Sequence, residues 1–180
     1  MLLKPEQSLL LLIDLQARLV PHVHDNERVL FNNDRLLQAS HCLKIPRLVT
    51  EQNPGSLGTT VPQLRSQVAD GHVLEKIHFN AYSEASIQHT LDGLDRRQLV
   101  LTGAESHVCV LQTALGLLQA GYQVFVAEDA CSSRSQQDKQ VALARLHQAG
   151  AIIVSTEMIM FEWLQRADSD NFRALLPLIR

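Results

Sequence analysis

Short, nearly all-apolar runs alternate with amphipathic stretches from one end of the chain to the other. This alternation restricts the fold more than any other feature. The runs are Ser8–Asp14, Pro46–Glu51, His72–Ile77, Gln98–Gly103, Tyr122–Glu128 and Ala151–Ser155. A strand with one wet face alternates apolar and polar residues; segments such as SLLLLID and QLVLTG do not, so they read as strands covered on both sides. Between them lie helical patterns at Glu27–Leu43, Ser83–Leu91, Val108–Ala120, Gln136–Ala149 and Glu157–Arg166. Val141, Leu143, Ala144, Leu146 and Ala149 form a one-sided apolar stripe. Gly121 and Gly150 each stop a helix before a strand begins. Alternation of this kind predicts a parallel sheet with helices on both faces. No repeat, low-complexity segment or linker interrupts it, so residues 1–180 are expected to form a single domain. The one long irregular stretch, Gln52–Thr60, holds the turn signal Asn53-Pro54-Gly55 and follows a strand.

Open α/β sheets bind ligands beyond the carboxyl ends of their strands. Three chemically capable residues fall there. Asp14 closes the first run, Lys76 lies at the end of the third, and Cys109 follows the fourth at the start of a helix. Taken singly, each has a plain reading: a turn-capping Asp, a solvated Lys, a small buried hydrophobe. Taken together they place a carboxylate, an ammonium and a thiol on one edge. The thiolate, not the thiol, is the nucleophile, and a helix start beside a Lys is expected to lower a Cys pKa. Asp14 would take the thiol proton as general base.

The formal net charge of −3 argues against nucleic-acid binding, which rests on a basic surface excess. No apolar stretch reaches the roughly 20 residues of a membrane span, so no membrane partner is expected. The N-terminal MLLKPEQS lacks a signal-peptide core, and a cytoplasmic location is the expectation. The three cysteines, Cys42, Cys109 and Cys131, show no metal-type spacing, which suits a reducing compartment.

The segments LLIDLQARLVPHV, LVTEQNPGSLGTTVPQL, LEKIHFNAY, TGAESHVCVLQTALGLLQAGYQVFVAEDACSSRS and STEMIMFEWL resemble, in order and over nearly the whole chain, the isochorismatase-like cysteine hydrolases. The branch of isochorismatase domain-containing proteins is the best match. The resemblance implies a three-layer α/β/α sandwich around a six-stranded parallel sheet. It implies an Asp–Lys–Cys triad at Asp14, Lys76 and Cys109, and a thioester intermediate. It also implies a cis peptide at Ala104–Glu105, with the N–H groups of Glu105 and Cys109 as the oxyanion hole. Nicotinamidases of this superfamily hold a metal through an Asp-x-His motif after the second strand. Here that segment reads TEQNPGSLG, so neither metal nor other cofactor is expected. True isochorismatases cleave a vinyl ether without the Cys, and the presence of Cys109 argues against that activity.

Other residues were weighed against plainer roles. His107 is two residues from Cys109, a spacing that does not share a helix face. His22 and His24 lack a third ligand cluster. Cys42 and Cys131 read as packing residues. Gln16, Gln52, Phe79 and Tyr82 are candidate substrate-pocket residues, since they follow strand ends or Lys76. Met158, Ile159, Met160, Phe161, Trp163 and Leu164 make the last helix apolar on more than one face, which points to a homo-oligomer. The resulting expectation is a metal-independent hydrolase of a small amide or related carbonyl compound. The alternatives are a non-catalytic interaction protein retaining the fold, and a hydrolase acting on nucleic acid.

Overall fold

A computed structural model describes residues 1–179. Its strands are β1 (Ser8–Ile13), β2 (Arg47–Gln52), β3 (Val73–Lys76), β4 (Gln98–Ala104), β5 (Gln123–Ser132) and β6 (Ile152–Val154). They form one six-stranded sheet in the order β3-β2-β1-β4-β5-β6, with every pairing parallel. The helices are α1 (Asn26–Cys42), α2 (Pro54–Leu57), α3 (Pro62–Arg65), α4 (Ala85–Gly93), α5 (Leu111–Gln119), α6 (Gln136–Gln148), α7 (Thr156–Leu164) and α8 (Asp170–Ile179). The expected three-layer α/β/α sandwich is the observed one.

Side chains on a strand alternate between faces, and β1 shows how this builds two cores. Leu10 and Leu12 join the α1, α7 and α8 side, with Leu36, Leu37, Trp163 and Leu175. Leu9, Leu11 and Ile13 join the α4, α5 and α6 side, with Ile87, Leu91, Ala114, Leu117 and Leu146. That double burial explains the unbroken apolar runs in the sequence. Serines start two of the helices: Ser135 Oγ accepts from the Asp138 N–H at 3.1 Å before α6, and Ser155 Oγ from the Met158 N–H at 3.2 Å before α7.

The strand order reverses at β1, which has β2 on one side and β4 on the other. This is the switch point where such sheets open a crevice. Register aligns Ile13 with both Thr50 and Gly103, and Gln52 with Lys76. Gly103 lies at φ 109°, and a Cβ there would sit 2.0 Å from the Ile13 carbonyl oxygen, so only glycine lets β4 run this close to β1.

Three features depart from the sequence reading. β5 continues past Glu128 to Ser132, because after an irregularity β4 still pairs Gly103 with Cys131 and Ala104 with Ser132. The irregular stretch after β2 contains α2, which, like α3, starts with proline in its first turn. Helix α8 was not anticipated. Pro177 within it signals a break, but Leu175 is buried against the α1 side and stabilises the helix by tertiary packing.

Candidate functional site

Asp14 is the first residue beyond β1. Its N–H still donates to the Thr50 carbonyl at 3.1 Å, but its backbone turns into the left-handed region at φ 52°, which Asp tolerates better than most residues. Its carboxylate is wholly buried. Oδ1 accepts from Thr50 Oγ1 at 2.7 Å, and Oδ2 lies 2.7 Å from Lys76 Nζ. Lys76, the last residue of β3, is buried as well, and its Nζ donates to Gln52 Oε1 at 2.6 Å. Lys76 Nζ and Asp14 Oδ2 form a close ion pair, both side chains wholly buried. The Cys109 thiol is within hydrogen-bonding reach of both Asp14 and Lys76 and only 6% of Cys109 is exposed. Acid, ammonium and thiol therefore meet at the carboxyl edge of the sheet, from β1, β3 and the turn after β4.

Burial governs the electrostatics here. It raises the Asp14 carboxyl above its ordinary range, against the Lys76 charge and the hydrogen bonds from Lys76, Thr50 and Cys109. It also pushes the Cys109 thiol up to about 12, with the Asp14 charge adding to the rise and Lys76 opposing it. This corrects the expectation of a lowered thiol pKa. The positive charge of Lys76 is present, but lost hydration and the neighbouring carboxylate outweigh it. A carboxylate of raised proton affinity beside the thiol has the chemistry to accept its proton.

The turn leading to Cys109 is unusual. The Ala104–Glu105 peptide, the bond singled out by the family resemblance, is cis. A single π-turn, Ser106–Val110, follows and carries Cys109 before α5 begins. Such turns recur at functional sites. The Glu105 carbonyl accepts from the N–H groups of Val108 at 3.0 Å and Val110 at 3.2 Å. Among the described residues the Glu105 N–H has no acceptor. Glu105 Oε1 is held by Arg134 Nε at 2.8 Å.

The remaining residues named from sequence sort by their contacts. Gln16 is not a pocket wall. It is fully buried, donating to the Gln52 carbonyl at 3.0 Å and the Gly58 carbonyl at 2.6 Å while accepting from the Gln52 N–H at 2.8 Å. Its carboxamide ties the loop after β2 to the end of β1. Gln52 belongs to the polar cluster itself, since its Oε1 takes the Lys76 proton donor and its Nε2 donates to the Ile77 carbonyl at 2.7 Å. Phe79 is 53% exposed on the loop beyond Lys76. Tyr82 turns away from the cluster; its hydroxyl donates to Asp92 Oδ1 at 3.1 Å and its ring stacks edge-on against Tyr122. His107 engages Ser133 Oγ at 2.9 Å through Nδ1, not the thiol. Cys131 is buried in β5 and Cys42 is half-buried in α1. Among the described residues, no three His, Cys, Asp or Glu side chains gather as metal ligands would, and no helix is long and apolar enough to cross a membrane. Thr50 was missed from sequence, because a Thr inside an apolar run reads as an ordinary β-former. Its pairing with Ile13, the residue before Asp14, becomes visible only with the register.

A doubly wound parallel sheet with a buried Asp–Lys pair against a thiol at its switch point defines a recognisable class of α/β proteins. Residues 8–158 match the isochorismatase domain, and the chain belongs to the isochorismatase family. Isochorismatase domain-containing protein 2 of Danio rerio is 38% identical over 98% of this chain and 89% of its own length. The structure of the MAR1 ribonuclease from Caenorhabditis elegans superposes with a TM-score of 0.93 at 34% identity, covering 99% of this chain and 92% of that one. The YcaC gene product of Escherichia coli, described as an octameric hydrolase of unknown specificity, has the same fold, with a TM-score of 0.93 at 24% identity over 98% of this chain and 90% of that one.

Proposed function

We propose that the protein is a metal-independent cysteine hydrolase acting on a small amide or related carbonyl compound. The observation that carries this reading is the meeting of Asp14, Lys76 and Cys109 in one buried cluster. Asp14 accepts the thiol proton as sulfur bonds to the carbonyl carbon. The carbonyl electrons move onto oxygen, and the N–H groups of Glu105 and Cys109 stabilise that charge. Collapse of the tetrahedral intermediate expels the amine, which takes the proton from Asp14, and leaves a thioester on Cys109. Water then attacks the thioester carbonyl as Asp14 takes its proton, and the second tetrahedral intermediate collapses with cleavage of the C–S bond, the departing sulfur taking the proton back from Asp14 as the carboxylic acid leaves. Lys76 stays an ammonium throughout, holding Asp14 in place and offsetting the negative charge that passes between carboxylate, sulfur and oxygen.

The relative named as a ribonuclease supports hydrolysis as the reaction class. Recognition of a polyanion is less well served here. Arg134 is engaged by Glu105, and Arg28 and Lys139 both face Glu128. A thiol on a residue only 6% exposed suits a compact neutral substrate. We also propose that the chain self-associates. Met158 and Phe161, three residues apart on α7, are 49% and 44% exposed and form an apolar face for a second copy to cover. The octameric description of the E. coli protein supports this reading. The test of function is a panel of small amides and ureides, with ammonia or amine release measured for wild type and Cys109→Ala, with and without chelator. Release by wild type that is unaffected by chelator and absent in the variant is expected. Equal release by both proteins overturns the nucleophile, and loss on chelation overturns the metal-free mechanism.

A further inference from the structure

Two side chains on β2 bracket the cluster from one side. Thr50 and Gln52 are two residues apart on one strand and so project to the same face. Thr50 Oγ1 donates to Asp14 Oδ1 at 2.7 Å, and Gln52 Oε1 accepts from Lys76 Nζ at 2.6 Å. Glu51 between them points the other way and binds the Thr60 N–H and hydroxyl, each at 2.7 Å. We infer that Thr50 and Gln52 are positioning residues of the cluster, Thr50 holding Asp14 in its ionised, proton-accepting form and Gln52 fixing the Lys76 ammonium beside Asp14 and the thiol. The inference rests on the hydrolase reading only for its purpose; the hydrogen bonds and their effect on the thiol can be tested without a substrate.

The chemistry of each pairing is specific. A hydroxyl donor favours the charged carboxylate over the neutral acid, and with Oδ1 taken by Thr50, Oδ2 is the oxygen beside Lys76 Nζ. An amide oxygen favours the ammonium over the neutral amine. Gln52 cannot swing round to offer its N–H2 group instead, because Nε2 is anchored on the Ile77 carbonyl and its backbone N–H and carbonyl are both held by Gln16. The titratable groups facing Asp14 are Lys76 from β3 and Cys109 from the turn after β4, and those facing Cys109 are Asp14 and Lys76. The reactivity of Cys109 should therefore fall on the acid side as Asp14 is protonated and rise on the alkaline side as the thiol itself ionises.

The experiment measures the rate of iodoacetamide alkylation against pH, read on the Cys109 peptide by mass spectrometry so that Cys42 and Cys131 do not interfere. Thr50→Val, of nearly the same shape, is expected to move the acid limb to higher pH and leave the alkaline limb in place. Gln52→Leu frees Lys76 Nζ from its place beside Asp14 and the thiol, both of whose pKa values it lowers, and is expected to move both limbs to higher pH. Thr50→Ser restores the hydroxyl and the wild-type acid limb. Thr50→Ala substitutes for Thr50→Val should the latter fail to fold. A merely structural role would lower the rate at every pH without moving either limb, and that result overturns the inference, as does a Thr50→Ser profile displaced like that of Thr50→Val. Limbs that move as stated in a protein that hydrolyses no amide would retire the amide-hydrolase reading and leave these assignments standing.

Discussion

At the scale of single residues, the site is a small group of polar side chains placed where the fold otherwise buries hydrocarbon. Asp14 and Lys76 are each wholly buried, and each is tolerable there because of the other. Removing one partner of a buried pair usually costs about 3–5 kcal/mol, since the survivor keeps its desolvation without compensation. Lys76→Met is therefore expected to destabilise the protein by about that amount near neutral pH. The sign with pH follows from Asp14. Its folded-state pKa already lies above the ordinary value and rises further without Lys76, so its contribution favours the fold at low pH and is lost as pH rises through the folded value. Urea titrations of variant and wild type should differ least in acid and most near neutrality. A difference that grows on acidification would contradict this account. Adding Asp14→Asn should recover most of the loss, and Asn suits the positive φ at this position. The same Asp14→Asn change alone is expected to abolish hydrolysis, because the amide cannot accept the thiol proton.

At the scale of elements, the sequence reveals what depends on periodicity and hides what depends on register. The six strands, their burial on both faces and the position of Asp14, Lys76 and Cys109 at strand ends follow from apolar runs and from where those runs stop. Thr50 and the structural role of Gln16 do not, because both act across strands or loops distant in sequence. Tyr82 illustrates the opposite failing: proximity to Lys76 in sequence suggests a pocket wall, yet the short turn Ala81–Ser83 directs it to Asp92 and Tyr122. Helix α8 is hidden by Pro177. Two glycines carry the packing between elements at this edge. Gly103→Ala would place a methyl 2.0 Å from the Ile13 carbonyl oxygen and is expected to prevent native β1–β4 pairing. Gly116→Ala on α5 would bring a Cβ within 2.5 Å of Asn80 Nδ2, displacing the side chain that caps the turn after Lys76. Its expected cost is about 1–3 kcal/mol, as for overpacking elsewhere, with amide exchange faster across residues 78–82. Unchanged exchange there would show that Asn80 moves freely and that this contact does not hold the loop.

At the scale of the whole molecule, the doubly wound topology does the gathering. β1 and β4 flank the switch point and deliver Asp14 and Cys109 to the same crevice, while β2 carries Lys76 in from the edge strand β3 through Gln52. The proposed self-association would cover the exposed apolar residues of α7. Light scattering on eluting protein should give a mass above the 20.1 kDa monomer, and Phe161→Glu with Met158→Glu should lower it. A monomeric wild type would remove that proposal and leave the site unaffected. The central claim, that Cys109 attacks a carbonyl and becomes acylated, is tested most directly by acid-quenching the protein during turnover of a hydrolysed amide and mapping the adduct by mass spectrometry. The account predicts the acyl group of the substrate on Cys109, removable by hydroxylamine and absent in Cys109→Ala. Sustained turnover by Cys109→Ala, or an adduct on another residue, would contradict it.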